Sequence, residues 1–229
     1  MRARVIVIEG DDYSETVGQR CIDSGKKYGV IVEKFKAVTK YTVEELMLNM
    51  DVHWVWAGVS NDRKRICPNT NLVQFPYTCA DLRTKKACSM SHYFLWKQCE
   101  HSDEPMLILE HDAIFVRELP NVDFKSIYQI NNPVGCTPQG GTWRAQMQLA
   151  GEGVRQKTII HYKDDRPDGL AGNSAYMMQP WAATKAIDLF ECVGVWPNDA
   201  TLCRQLFTDL EEYYPFIVET RQERSTTVC

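Results

Sequence analysis

The sequence lacks several features that would set it apart from ordinary globular enzymes. No apolar run approaches the roughly 18 residues needed for a membrane-spanning helix. Basic charge is not in excess: 26 Lys and Arg face 30 Asp and Glu, for a net charge of −4. That balance argues against the basic face that nucleic-acid backbones call for. Two short basic clusters, Arg63-Lys64-Arg65 and Arg83-Thr84-Lys85-Lys86, read as solvated surface, with a local patch for a diphosphate as the alternative. Nine cysteines occur, an odd count with no C-x-x-C spacing. This fits neither a zinc framework nor a paired disulfide set, and the thiols read as small packing residues of a reducing compartment. Met1 to Val5 leads into a strand-like run without the apolar core of a leader. The expected location is the cytoplasm, bacterial or that of a host. Internal repeats and low-complexity tracts are also missing.

What is present is 229 residues, 44% apolar and 24% charged. That is enough to bury a core without staples, and we expect a single domain over 1–229. Val5 to Ile8 reads as a buried strand, closed by Glu9-Gly10-Asp11-Asp12. Ser14 is expected to cap a helix to about Lys27 that Gly29 stops, and Val30 to Val38 is a second strand. Thr42 and Glu45 have capping-box spacing at the start of a short helix. Residues 61–76 read as loop, 79–101 as helix, and Met106 to Leu109 as another buried strand with Ala113 to Val116 beyond it. The second half is rich in glycine, with helices expected over 180–192 and 198–213. The alternation implies right-handed crossovers and an open α/β sheet, mainly parallel and flanked by helices.

Ligands of such sheets sit at the carboxyl ends of the strands. Two of these ends are acidic, Glu9-x-Asp11 and Glu110-x-Asp112. The spacing alone decides nothing, because 30 acids in 229 residues give about four such pairs by chance and three occur. Context favours Glu110-x-Asp112, which is flanked by apolar residues on both sides. Charges there are costly unless paired or bound to a metal. An oxygen-ligated Mg²⁺ or Mn²⁺ is the reading, against a structural ion pair or an exposed strand end.

The block Cys88-Ser89-Met90-Ser91-His92, then Tyr93-Phe94-Leu95-Trp96, then Glu104-Pro105 through Met106-Leu107-Ile108-Leu109-Glu110-His111-Asp112-Ala113, resembles glycosyltransferase family 25 of lipopolysaccharide biosynthesis. The family pattern is a G-C-x-x-S-H helix, an apolar strand and E-D-D-A. Ala171 to Met178 resembles its G-x-x-A-Y segment, Pro197-Asn198-Asp199 its P-x-D, Glu223 to Thr226 its late tail, and Val5 to Asp12 its first strand and loop. His111 replaces the central acid and Ala87 the glycine. The resemblance implies a GT-A-like (Rossmann-like) fold with a nucleotide-sugar-binding half, 1–116, and an acceptor-side half, 117–229. It also implies a nucleotide-diphosphate sugar donor, usually a UDP-sugar, a divalent metal and inversion at the sugar.

Asp112 is the expected metal ligand, with Glu110 holding a metal water or the ribose; a hydrogen bond to a neighbouring ligand, without contact to the metal, is the alternative for Glu110. Glu9, Gly10 and Tyr13 are placed at base and ribose, against an ordinary surface turn. Lys85 is placed at the diphosphate, against solvated surface. Asp199 is the candidate base toward a glycan or other hydroxyl acceptor, against simple capping by it or by Asn198. His111 is assigned to packing. Trp143 and Trp196 are read either as stacking platforms for a sugar or as core. His161 is read as structural before metal-binding, and Asp164-Asp165 as a solvated turn or a closing loop. The competing functions are a metal-dependent nucleotidyltransferase and a glycosyltransferase-like domain that only binds sugar or partner.

Overall fold

The computed structural model describes residues 1–58, 63–76, 79, 81–136, 139–159, 165–170 and 172–221. His161, Asp164, Ala171 and the tail Glu223 to Thr226 lie outside the described residues.

The first strand, β1 (Arg2–Val7), buries Ala3, Val5 and Val7 on one face. Helix α1 (Asp12–Lys27) follows, but its cap is Asp11 and not Ser14. Asp11 is extended, and its carboxylate accepts from Ser14 N at 2.8 Å. Ser14 stands one turn in, fully buried, and its hydroxyl accepts from Ile8 N at 2.9 Å. Gly29, at φ +75°, lets the chain turn out of the helix. Strand β2 (Val32–Lys36) is shorter than its apolar pattern. Helix α2 (Val43–Asn49) starts after Thr42, but Thr42 has helical backbone and makes no side-chain cap. Its hydroxyl donates to Thr39 O at 3.3 Å instead, so the capping box does not form.

Inside the expected loop, β3 (Arg65–Ile66) and β4 (Val73–Gln74) make a small hairpin. Helix α3 (Leu82–Glu100) begins at Asp81, whose carboxylate accepts from Arg83 N. Then come β5 (Met106–Glu110), β6 (Ala113–Phe115), β7 (Ile127–Gln129), α4 (Gly140–Ala150), β8 (Gly153–Gln156), β9 (Ala175–Met178) and α5 (Pro180–Cys192). Proline at the first position of α5 suits a helix start. The chain continues with α6 (Asn198–Thr201), β10 (Glu211–Tyr214) and β11 (Val218–Thr220).

The expected helix over 198–213 is therefore corrected to one turn and a strand. Tertiary pairing overrides the local pattern here. Residues 211–214 sit between β7 and β8. Glu212 meets Lys157 at 2.9 Å, with both side chains 1% exposed.

The central sheet has the order β2-β1-β5-β9-β7-β10-β8. β1 runs parallel to β2 and β5, and β7 parallel to β10, while β9 and β8 pair antiparallel with their neighbours. Thus β2, β1, β5, β7 and β10 all point one way, as a mainly parallel α/β sheet requires. Helices cover both faces, which explains the unbroken apolar run of β5. Met106 and Ile108 pack with Met90, Trp96 and Phe190 of α3 and α5. Leu107 and Leu109 pack with Val5, Cys21 and Phe115 on the α1 side. Each such buried side chain contributes about 1.5–3 kcal/mol.

After Glu110 the chain turns at His111-Asp112 and leaves the sheet. Residues 113–115 pair instead with β11, Ala113 opposite Thr220. This exit holds the acidic segment at the carboxyl edge of the sheet, beside the end of β1 where Ile6 is in register with Glu110. Among the described residues, no helix is long and apolar enough to cross a membrane.

Candidate active site

The alternation of β5 decides where its terminal residues go. Glu110 follows Met106 and Ile108 onto the α3 side, while His111 turns to the α1 side. Glu110 Oε1 lies 3.3 Å from His92 Nε2 and accepts from Cys88 Sγ at 3.8 Å. Cys88 and His92 stand four apart on one face of α3. The Cys88 thiol also reaches Asn198 Oδ1 of α6 at 3.6 Å.

His111 is 9% exposed and bonds Ser14 Oγ through Nδ1 at 2.8 Å. Tyr13 meets it edge-on, with ring centroids 6.0 Å apart. Burial lowers the His111 pKa, so the ring is neutral. His111 packs; it does not face the Glu110 cluster.

Asp112 is 3% exposed, and its Oδ1 has no hydrogen-bond partner among the described residues. Its carbonyl accepts from Arg221 N at 3.1 Å. Burial pushes the Asp112 pKa up, and the charge of Glu110 adds to it. Glu110 is likewise pushed up, first by burial and then by the charge of Asp199, with Lys85 pulling the other way. Both Lys85 and Asp199 therefore lie within electrostatic reach of Glu110. The fold thus gathers Lys85, Cys88 and His92 of α3, Glu110 and Asp112 from the end of β5, and Asn198 and Asp199 of α6.

Asp199 is half-buried in the first turn of α6, and its Oδ1 accepts from Ala200 N at 3.0 Å. Neither Asp199 nor Asn198 is the cap, a position held by Pro197 without a side-chain bond. The Asp199 carbonyl is pressed against Gly169, where a Cβ would stand 1.7 Å from its oxygen. Only glycine permits that approach.

The β1 loop is more open. Gly10 takes φ +79° in open space and donates its N–H to Glu15 Oε1 at 2.9 Å. Glu9 is exposed and ion-paired with Lys36 of β2, so it points away from Glu110. Tyr13 is half-buried against His111. Trp196 is 2% exposed, edge-on to Trp56, and Trp143 is 6% exposed beneath Lys157 Nζ. Both tryptophans are core and offer no face to a sugar. Asp165 is exposed, and its carbonyl accepts from Val73 N. A cavity of about 390 Å³ opens at the opposite edge of the sheet, lined in part by Met1, Pro105, Phe124 and Gln179. It shares no residue with this cluster.

Cys88, His92 and Tyr176, which the sequence reading quoted in its motifs without a role, enter the cluster, and Asn198, read there as a possible cap, enters it as a partner of Cys88. The i, i+4 spacing of Cys88 and His92 was a further signal in the sequence.

Residues 69–134 match the family model of glycosyltransferase family 25 (LPS biosynthesis protein). This stretch is similar to that family. It holds α3 and β5, and with them Lys85, Cys88, His92, Glu110 and Asp112; the β1 loop and Asp199 fall outside it. The chain is a glycosyltransferase on that match. No curated protein matches it by sequence. Among solved structures, the apo crystal structure of mouse xyloside xylosyltransferase 1 is similar at 8% identity and a TM-score of 0.35, over 91% of this chain and 83% of that one.

Proposed function

We propose that this glycosyltransferase moves a sugar from a nucleotide-diphosphate sugar, a UDP-sugar first, to the hydroxyl of a glycan or other acceptor, with inversion and with Mn²⁺ or Mg²⁺ at Asp112. The observation that carries the metal is the buried, unpartnered Oδ1 of Asp112 at the carboxyl edge of the sheet. A buried carboxylate oxygen without a partner is costly, and a hard cation satisfies it. The donor set fits: Asp112 supplies oxygen directly, and Glu110 supplies one toward a metal water or the ribose. A divalent ion bound there would neutralise the charge of the departing diphosphate.

The remaining work falls to the side chains. Lys85 lies on the Glu110 side of α3 and supplies positive charge toward the diphosphate. Gly10 and Tyr13 bound the place for base and ribose at the end of β1. Glu9, tied to Lys36, reaches the ligand only after leaving that pair. Asp199 is the carboxylate that takes the acceptor hydroxyl proton. The departure at His111 falls on the α1 side, so Glu110 and Asp112 keep their places, which favours an enzyme over a binding-only domain.

The test is a panel of nucleotide-sugars with and without Mn²⁺, scored by release of free nucleotide. Metal-dependent release from at least one donor is expected. Asp199→Asn should slow transfer about 100-fold or more while donor affinity holds. Loss of donor affinity in that variant refutes the base assignment, and silence across the panel refutes the activity.

A further inference from the structure

A line of polar groups crosses the apolar core behind Glu110. Trp96 Nε1 lies 2.8 Å from Tyr176 OH, and Tyr176 OH lies 2.9 Å from His92 Nδ1. His92 Nε2 is 3.3 Å from Glu110 Oε1. Trp96, Tyr176 and His92 are all 0% exposed, and the His92 and Tyr176 rings stack at 5.8 Å. Nothing in the proposed reaction uses them.

The chemistry of the first member fixes the direction of the whole line. An indole N–H only donates, so the Tyr176 oxygen accepts from Trp96. The Tyr176 hydrogen then needs an acceptor, and His92 Nδ1 is the one in hydrogen-bond range among the described residues. That puts the imidazole proton on Nε2, which donates to Glu110. The reverse tautomer would leave the buried Tyr176 hydrogen without an acceptor among the described residues. A metal ion on the same trio meets the same objection. The ligand atoms of Cys88, His92 and Glu110 lie within 4.8 Å of one another. An ion on His92 Nε2 would nevertheless force the proton onto Nδ1 and strand the Tyr176 hydrogen.

We infer that Trp96, Tyr176 and His92 form a one-way relay that positions Glu110, committing Oε1 to the protein and leaving Oε2 for the sugar donor. Both hydrogen bonds to Glu110, from His92 and Cys88, fall on Oε1, and Oε2 takes none among the described residues. The Glu110 side chain is 26% exposed, so that second oxygen has an outlet. His92 and Tyr176 are thus positioning residues for donor binding. The inference rests on the reading of Glu110 as a donor contact.

The experiment joins ¹⁵N NMR of the His92 ring in the full chain with donor kinetics. The wild-type ring is expected as a single Nε2–H tautomer, which Tyr176→Phe releases. Tyr176→Phe and His92→Leu should raise the donor KM about tenfold with kcat little changed, as expected for a lost charge-assisted bond to a binding group. His92→Gln, which keeps an amide N–H near the Nε2 position, should return KM to within about threefold of wild type. An Nδ1–H tautomer in the wild type, stoichiometric zinc lost on Cys88→Ala, or a His92→Gln enzyme as impaired as His92→Leu each overturns the relay. If no donor binds at all, the reading of Glu110 fails, while the nitrogen spectrum still decides the relay.

Discussion

Replacing Asp112 by Asn separates the cost of this carboxylate from its use. The side chain is 3% exposed, with Oδ1 unpartnered, and burial raises its pKa from 3.8 to about 7. A carboxyl group raised in the folded state destabilises the fold once ionised. The penalty is absent below the unfolded pKa near 4, grows as pH rises, and is complete above the folded value. In EDTA at pH 8, a neutral amide of the same shape should therefore stabilise the fold by about 1–3 kcal/mol. For a chain of this size that is a rise in Tm of several degrees, about 2–4 °C per kcal/mol. The gain should shrink as pH falls toward 4. Manganese should reverse the ranking, because an ion at 100 times its Kd adds about 2.7 kcal/mol to the wild type alone. Thermal melts of both proteins at pH 5 and 8, with EDTA or MnCl₂, read all of this. A variant less stable than wild type in EDTA at pH 8, or one lifted equally by manganese, refutes the reasoning.

Other consequences test neighbouring parts of the account. Gly169→Ala drives a methyl into the Asp199 carbonyl, so turnover should fall at least tenfold while manganese still raises Tm, as steady-state assays and melts would show. Glu212→Ala strands Lys157 in the interior and should cost about 3–5 kcal/mol in urea unfolding, whereas removing both charges with Lys157→Met and Glu212→Leu should recover most of it. Burial pushes the Cys21 and Cys203 thiols up to about 12, so both stay protonated and unalkylated by iodoacetamide at pH 8 in the native protein, while exposed Cys192 reacts; mass spectrometry of the peptides decides.

The first half of the fold is legible in the sequence because its signals are local and redundant. β5 is buried on both faces, so its uninterrupted apolar run reads as a central strand, while β1 is marked by the alternate burial of Ala3, Val5 and Val7. α5 is legible as well, from proline at its start and apolar spacing along it. The cap of α1 was less so, since Asp11 and Ser14 are both good caps and only the path of the chain selects Asp11. Residues 198–213 mislead because what ends α6 is distant: the Gly169 contact at Asp199 and the Lys157 pairing that draws Glu212 into a strand. In the site, Asp112 and Glu110 stand out as charges set in apolar chain. The relay does not, because Tyr176 meets His92 across 84 residues and no spacing rule reaches that far.

The measurement that bears most directly on the central claim is calorimetric titration of UDP into the protein, in Mn²⁺ and in EDTA, on wild type and Asp112→Asn. Binding by the wild type in manganese, lost both in EDTA and in the variant, is the predicted result. Equal affinity in all four conditions, or no binding in any, contradicts a metal-held diphosphate at Asp112.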